Sequence, residues 1–244
     1  MRKLIAAEAV KIQWGLVALL IAVDLLVNMT LGVSDLEMLQ EYYSPNWPHF
    51  LMVVFHFHSM FFYPLFTGIL AALLCFYEHR SGGWKLWFVM PYSWTQMYAA
   101  KLTILAIILA VIQLAFIGAT IVTGFISGVE GNLNWGMVLN STISGWISIL
   151  PLAALQLWFS SRLSSFGIAF SINVACVLPN IVVSGLHSVY GMWFPFILPF
   201  YAMMPQGTPF APRVDELSLY GWIGLSFVAA CIWGSYVYRK KTIA

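Results

Sequence analysis

The sequence has very little charge. Only 8% of its 244 residues are Asp, Glu, Lys or Arg, whereas 61% are hydrophobic, and the net charge is only +2. Soluble domains carry about a quarter charged residues, so a soluble core of this length would not hide the apolar surface. A bilayer would, because each spanning helix needs about 20 apolar residues. The composition predicts an all-α polytopic membrane protein and gives no reason to expect a nucleic-acid partner.

The sequence also lacks the common catalytic strings. No lysine follows a glycine, which excludes a Walker-type phosphate-binding loop. The zinc-protease string His-Glu-x-x-His and the hydrolase string Gly-x-Ser-x-Gly do not occur either. The absence of these strings weakens an enzymatic interpretation without excluding it, and we expect no cofactor, metal or catalytic residue in this chain.

Cysteine and histidine are scarce. Cys75, Cys176 and Cys231 all lie within apolar runs, so they are interpreted as small apolar fillers. His56 and His58 are two residues apart and point to different faces of a helix. We place them near the outer end of a span and interpret them as interfacial or hydrogen-bonded residues, not as metal ligands.

What the chain has in quantity is long apolar runs. They predict membrane spans over residues 12–31, 51–77, 102–126, 137–159, 166–186 and 219–238. Pro64 offers a cause for a kink in the second span. The first run has no small-residue cleavage site, so we expect it to be retained. Residues 1–244 are interpreted as one membrane domain.

The basic residues predict the orientation, since they are retained in the cytoplasm near span ends. One side of the predicted topology carries Arg2, Lys3, Lys11, Arg80, Lys85, Lys101, Arg162, Arg239, Lys240 and Lys241, and the other carries only Arg213. Acidic residues collect on that other side, at Asp35, Glu37, Glu41, Glu130, Asp215 and Glu216. Both termini are therefore expected in the cytoplasm.

Asp24 is the only acidic residue inside a predicted span. A charge at that depth costs roughly 2.5–3.5 kcal/mol on insertion scales, so the carboxylate needs a partner or a polar cavity. Asn28 lies four residues on and shares its helix face. Two interpretations stay open: a structural hydrogen bond to Asn28 or to another span, for instance near Asn173 or Asn180, or a substrate-facing polar patch formed by Asp24 and Asn28.

The outer segment between the fifth and sixth spans is rich in aromatic residues and proline. Its apolar pieces are too short to cross the bilayer, which favours a re-entrant or interfacial element. The side chains could anchor the segment at the headgroup level or form the outer gate of a translocation path. The candidates for anchoring are Trp193, Phe194 and Phe196, and the candidates for the outer gate are the same three residues and Phe200.

A polar interruption separates the second and third spans, from Glu78 to Lys101. Trp84, Trp87 and Phe88 follow helical spacing, and Pro91 must end that helix. Ser93 and Gln96 then form a capping box at the start of the third span. The residues alone leave open whether the short helix lies in the membrane surface or contacts another protein.

The order of residues in this interruption resembles the permeases of type-2 ABC exporters. The match rests on Glu78, Trp84, Lys85, Met90, Pro91, Ser93, Tyr98 and Lys101. The closest subgroup is the lantibiotic immunity permeases, which have six spans and whose start often reads Ala-Glu-x-x-Lys, as Ala7, Glu8 and Lys11 do here.

The resemblance implies a half-transporter in the bacterial cell membrane that expels a hydrophobic or amphipathic substrate, such as a peptide antibiotic. ATP and Mg²⁺ would be bound by a separate dimeric ATPase, and a second permease chain, identical or paralogous, would complete the path in the lipid. The loop would be a coupling helix, whose ATPase contacts are expected at Glu78, Arg80, Trp84, Lys85, Trp87, Phe88, Met90 and Pro91.

Two other classes remain as alternatives. A non-transporting membrane sensor or immunity protein would hold a ligand at the outer face, and its protection would survive loss of the ATPase. A membrane-embedded enzyme would act without any ATPase. Neither alternative explains the spacing from Glu78 to Lys101.

Overall fold

A computed structural model describes residues 1–39, 46–80, 92–186, 189–206, 208 and 211–240. Its helices, in chain order, are α1 Arg2–Val10, α2 Trp14–Leu39, α3 Trp47–Phe57, α4 Tyr63–Arg80, α5 Trp94–Ile126, α6 Trp135–Arg162, α7 Phe166–Val177, α8 Asn180–Leu186, α9 Leu198–Met203 and α10 Glu216–Lys240. A π-helical segment, His58–Phe62, connects α3 to α4, and a 3₁₀ turn, Val189–Trp193, precedes α9.

Within the described residues, six helices are long and apolar enough to cross a membrane, which confirms the predicted all-α polytopic fold. The second span runs over Trp47–Arg80 and the third over Trp94–Ile126, so both begin before the apolar runs in the sequence do. The added turns contain His49 and Lys101, whose polar groups have partners in the fold. Charged residues are therefore included in these helices, although a hydropathy pattern excludes them.

The spans form an inner and an outer group. In the second, third and fourth spans, 67%, 50% and 61% of the most apolar window is buried, compared with 22%, 22% and 17% in the first, fifth and sixth. The core therefore lies among α3, α4, α5 and α6 and is completed by the segment around α9. The peripheral helices α2, α7 and α10 present apolar faces to their surroundings, as lipid contact requires.

The two ends of the bundle are defined by their residues. At the terminal end, Leu4 of α1 packs with Met97 of α5, and Gly234 of α10 lies against the Tyr98 ring. The start of α1 and the end of α10 are therefore at this end, which we call the terminal end. At the distal end, an isolated bridge joins Asn46 to Glu130.

The start of α5 is closed by the capping box that the sequence predicts. Ser93 Oγ accepts from the Gln96 backbone amide at 3.2 Å, and the Gln96 side chain accepts from the Ser93 amide at 2.9 Å. Each bond satisfies an amide that would otherwise lack a helical acceptor. This fixes the point at which the third span begins.

The second span changes its helical geometry just before Pro64. Proline has no amide hydrogen, so the Met60 carbonyl, four residues earlier, loses its usual helical donor. The π-helical segment His58–Phe62 lies at this point, and Asn180 Nδ2 donates to the Met60 oxygen at 2.9 Å. The same amide nitrogen donates to Phe196 O at 2.9 Å, so Asn180 connects the irregular turn to the segment before α9.

Helices α4 and α7 approach closely at Gly68. A Cβ atom there would lie 2.1 Å from the Asn173 amide, a distance that no side chain tolerates. Asn173 Nδ2 donates to Leu65 O at 2.9 Å, and its Oδ1 accepts from Gln156 Nε2 at 2.8 Å. Glycine at position 68 thus permits a polar contact that joins the second, fourth and fifth spans.

Candidate functional site

An ionic cluster lies at the terminal end, where α1, α4 and α5 meet. Lys101 Nζ donates to Glu78 Oε1 at 2.6 Å, to Glu8 Oε2 at 2.7 Å and to Leu74 O at 2.9 Å. These bonds use all three donors of an ammonium group. Lys101, Glu8 and Glu78 are each at least 97% buried.

Lys11 completes this ionic cluster from the chain segment after α1. Its Nζ lies 2.9 Å from Glu8 Oε1 and 2.9 Å from Glu78 Oε1. Two ammonium groups thus balance two carboxylates. Buried charges cost several kcal/mol each unless they are paired and hydrogen-bonded, and here each carboxylate is paired with both ammonium groups.

Glu78, one of the expected contacts with an ATPase, lies two residues before the end of α4, and its carboxylate is part of the buried ionic cluster. Its Oε1 is bound by both lysines, while its Oε2 has no hydrogen-bond partner among the described residues. A direct contact of this carboxylate with another protein would compete with those bonds. Arg80 ends α4 and is exposed.

The other expected contacts fall on residues 81–91, which lie outside the described part of the chain. They are Trp84, Lys85, Trp87, Phe88, Met90 and Pro91. The structure does describe both ends of this loop. Lys101 holds Glu78 of α4 at one end and belongs to α5 at the other.

A second polar cluster lies inside the membrane-spanning part. Asp24 is ten residues into α2, about 15 Å along the helix from Trp14. Its Oδ1 accepts from Asn28 Nδ2 at 2.7 Å, and its Oδ2 lies 2.7 Å from His58 Nδ1. Asp24, Asn28 and His58 are each at least 99% buried.

His58 continues this intramembrane cluster toward α5 and α9. Its Nε2 lies 3.1 Å from Gln113 Oε1, and Gln113 Nε2 donates to Met203 Sδ at 3.5 Å. Both ring nitrogens of His58 therefore have an oxygen atom of a neighbouring side chain within hydrogen-bond distance. The ring also stacks on Phe116, with centroids 3.6 Å apart.

The intramembrane cluster confirms part of the sequence interpretation and corrects part of it. The hydrogen bond between Asp24 and Asn28 is confirmed. The partner from another span is His58, whereas Asn173 and Asn180 bind elsewhere. Asp24 and Asn28 pack against other spans of the same chain, and a role for them in substrate contact stays a prediction.

His58 and Gln113 were missed as partners because of where the second span begins. Counting from residue 51 places His58 near the outer end, but the helix starts at Trp47 and the π-helical segment follows, so His58 is buried. The placement near the interface is therefore wrong for His58, while the expected hydrogen bonds are confirmed. A glutamine at the middle of an otherwise apolar run is the signal that could have identified Gln113.

The outer-gate candidates occupy different environments. Trp193 is 65% exposed and packs on Trp222 of α10, with ring centroids 4.3 Å apart. Phe194 is partly buried, whereas Phe196 and Phe200 are core residues. A gating role would therefore involve Trp193 at the surface and the two buried rings as its support.

Two comparisons with known proteins bear on this arrangement. Residues 4–178 match the model of a family described as ABC-2 family transporter protein. The matched region contains the whole ionic cluster and the Asp24, His58 and Gln113 side chains. No curated protein matches the chain.

Proposed function

Since the chain belongs to the ABC-2 family of transporter proteins, we propose that it is the permease subunit of an exporter whose ATPase is a separate dimeric subunit. The ATPase contacts the loop between the second and third spans, at Trp84 to Pro91. A second permease chain completes the path. The substrate is hydrophobic or amphipathic, and the resemblance to immunity permeases favours a peptide antibiotic.

The observation that carries this proposal is the ionic cluster at the base of the loop. Lys101 connects Glu78, near the end of α4, to α5, so the two ends of the loop are held together. It also binds Glu8 of α1. A force applied to the loop is therefore delivered to three helices at once.

The consequence for transport is mechanical. Closure of the ATPase dimer on nucleotide would displace the loop, and the attached spans α4 and α5 would move together because a buried ion pair resists separation. The amino-terminal helix α1 would follow through Glu8. This provides a route from nucleotide binding to the membrane-spanning core.

The proposal is tested with Trp87→Ala in the full chain, reconstituted with its ATPase in lipid vesicles. We expect the variant to insert normally but to lose ATP-dependent export, because the aromatic side chain supplies the contact. Trp135→Ala is the matched control, since Trp135 is exposed at the distal end of the bundle. Export and ATPase association unchanged in Trp87→Ala would reject the loop assignment.

A catalytically inactive ATPase separates this function from that of a sensor. In an exporter, resistance to the antibiotic should disappear together with ATP hydrolysis. Full resistance with the inactive ATPase would instead identify a protein that protects by binding alone.

A further inference from the structure

A cavity of about 330 Å³ opens at the distal end of the bundle. It lies between the first turns of α6, the short helix α9 and the start of α10. Its floor consists of buried residues, namely Ser141, Tyr201, Met204, Pro205 and Leu219, and its rim carries Asn140, Gln206, Glu216 and Tyr220. The volume is in the range of small-molecule sites.

Ser141 is the first sign that the cavity is built for a ligand. Serine and threonine in membrane helices usually donate back to a carbonyl one turn earlier. Thr142 does so, donating to Val138 O at 2.7 Å. Ser141 is 97% buried, lines the cavity and has no hydrogen-bond partner in the part of the chain that the structure describes.

The charge of the rim is the second sign. Glu216, in the first turn of α10, makes no ion pair with any described residue. Burial raises the pKa of the Tyr201 phenol, so this group stays neutral. Among the described lining residues, Glu216 therefore supplies the only charge.

The chemistry of the lining defines the ligand. A carboxylate attracts a cation, while the Ser141 hydroxyl and the Asn140 and Gln206 amides offer oxygen acceptors to N–H donors. The apolar surface of Met204 and Leu219 lies below them. We propose that this cavity binds the primary ammonium group of an amphipathic molecule, with its apolar part against Met204 and Leu219.

The proposed ammonium site goes beyond the proposed function. Binding at this site can be tested even if the proposed transport function is wrong. Binding requires only the purified chain, whereas export requires the ATPase. If Trp87→Ala leaves export intact but the cavity binds ammonium compounds, the loop assignment fails and the site stands. If export depends on Trp87 but the cavity does not bind, the site fails alone.

The test uses the full chain in nanodiscs of phosphatidylcholine and phosphatidylglycerol, with octylammonium as the probe and saturation-transfer NMR as the measurement. We expect Glu216→Gln to weaken octylammonium binding about fivefold, because the ammonium group loses an ion pair with a partly exposed carboxylate. Ser141→Ala should weaken it about threefold through loss of one hydrogen bond. Octyltrimethylammonium, which has no N–H donor, and octanol, which has no charge, should both bind more weakly than octylammonium.

Asp215→Asn is the matched control. Asp215 precedes Glu216 but does not line the cavity; its carboxylate accepts from the Ser218 amide at 3.0 Å, and asparagine caps a helix equally well. Its binding should equal that of the wild-type chain. Equal binding by Glu216→Gln and wild type, or equal binding of octanol and octylammonium, would overturn the proposal.

Two further arms identify the source of the ammonium group. If the natural ligand is a lipid, phosphatidylethanolamine included in the nanodiscs should compete with octylammonium and weaken its binding. If it arrives from the aqueous phase, a lysine-containing amphipathic peptide should compete in nanodiscs without that lipid. Competition by neither would overturn the assignment to amphipathic ammonium compounds.

Discussion

Two aspartate–histidine pairs in this chain have the same oxygen–nitrogen distance but differ in how deeply they are buried. Asp24 and His58 lie 2.7 Å apart inside the bundle, and Asp35 and His49 lie 2.7 Å apart near the distal end. The first pair is at least 99% buried, whereas the Asp35 side chain is 36% exposed. A buried polar group that loses its partner destabilises the fold by its full desolvation free energy, whereas an exposed group is solvated by water. At the residue scale, burial therefore decides how much each pair contributes.

A double-mutant cycle measures this difference. We expect Asp24→Asn and His58→Gln to show a coupling of about 1–3 kcal/mol in the free energy of unfolding, since they share one buried network. The matching cycle with Asp35→Asn and His49→Gln should give less than about 1 kcal/mol. The measurement is equilibrium unfolding in mixed micelles. Equal coupling in the two cycles would contradict the structural role assigned to His58.

At the scale of elements, the terminal end is organised by one lysine. Hydropathy alone does not specify how α1 meets α4 and α5, because α1 has only nine residues and three of them, Arg2, Lys3 and Glu8, are charged. Lys101 donates to groups on both other helices, and Lys11 binds the same two carboxylates. The position of α1 therefore depends on these ion pairs together with apolar packing by Leu4, Ile5 and Ala9.

Replacement of Lys101 by methionine should lower the free energy of unfolding by about 3–5 kcal/mol, because two buried carboxylates are left to share the single ammonium group of Lys11. Thermal unfolding in detergent measures the change. Lys3→Met is the control, since Lys3 is exposed at the same end and should have little effect.

The charge balance provides a second check on Lys101. Adding Glu78→Gln to Lys101→Met leaves Glu8 with Lys11, so the double variant should be more stable than Lys101→Met alone. A double variant that unfolds at a lower temperature than Lys101→Met would show that packing, not charge, holds these helices.

At the scale of the whole molecule, the two ends differ in charge as well as in structure. The terminal end gathers Lys11, Arg80, Lys101 and Arg162, while the distal end carries Glu130, Asp215 and Glu216. Basic residues are retained on the cytoplasmic side during insertion. We therefore propose that the ionic cluster faces the cytoplasm and that the cavity opens on the outer side.

Cysteine labelling in intact cells tests this orientation. Asn132→Cys, at the exposed distal turn, should react with a membrane-impermeant maleimide, and Lys3→Cys should react only after the cells are opened. The native cysteines lie within spans, so the wild-type chain provides the background. Labelling of Lys3→Cys in intact cells would reverse the orientation.

Much of this protein was predictable from its sequence. Span number follows from runs of apolar residues, and the start of α5 follows from Ser93 and Gln96, because both are properties of neighbouring residues. The charge asymmetry likewise needs only the order of spans. The need of Asp24 for a partner followed from its depth in an apolar run.

The tertiary structure alone decided which partners are used. His58 is 34 residues from Asp24, and Lys101 is 93 residues from Glu8, so each pair depends on how helices pack. The same holds for Ser141, whose hydroxyl lines a cavity only because α9 and α10 pack beside α6. The length of an apolar run depends only on neighbouring residues. A hydrogen bond between distant residues forms only after the packing of helices has brought its donor and acceptor atoms within about 3 Å.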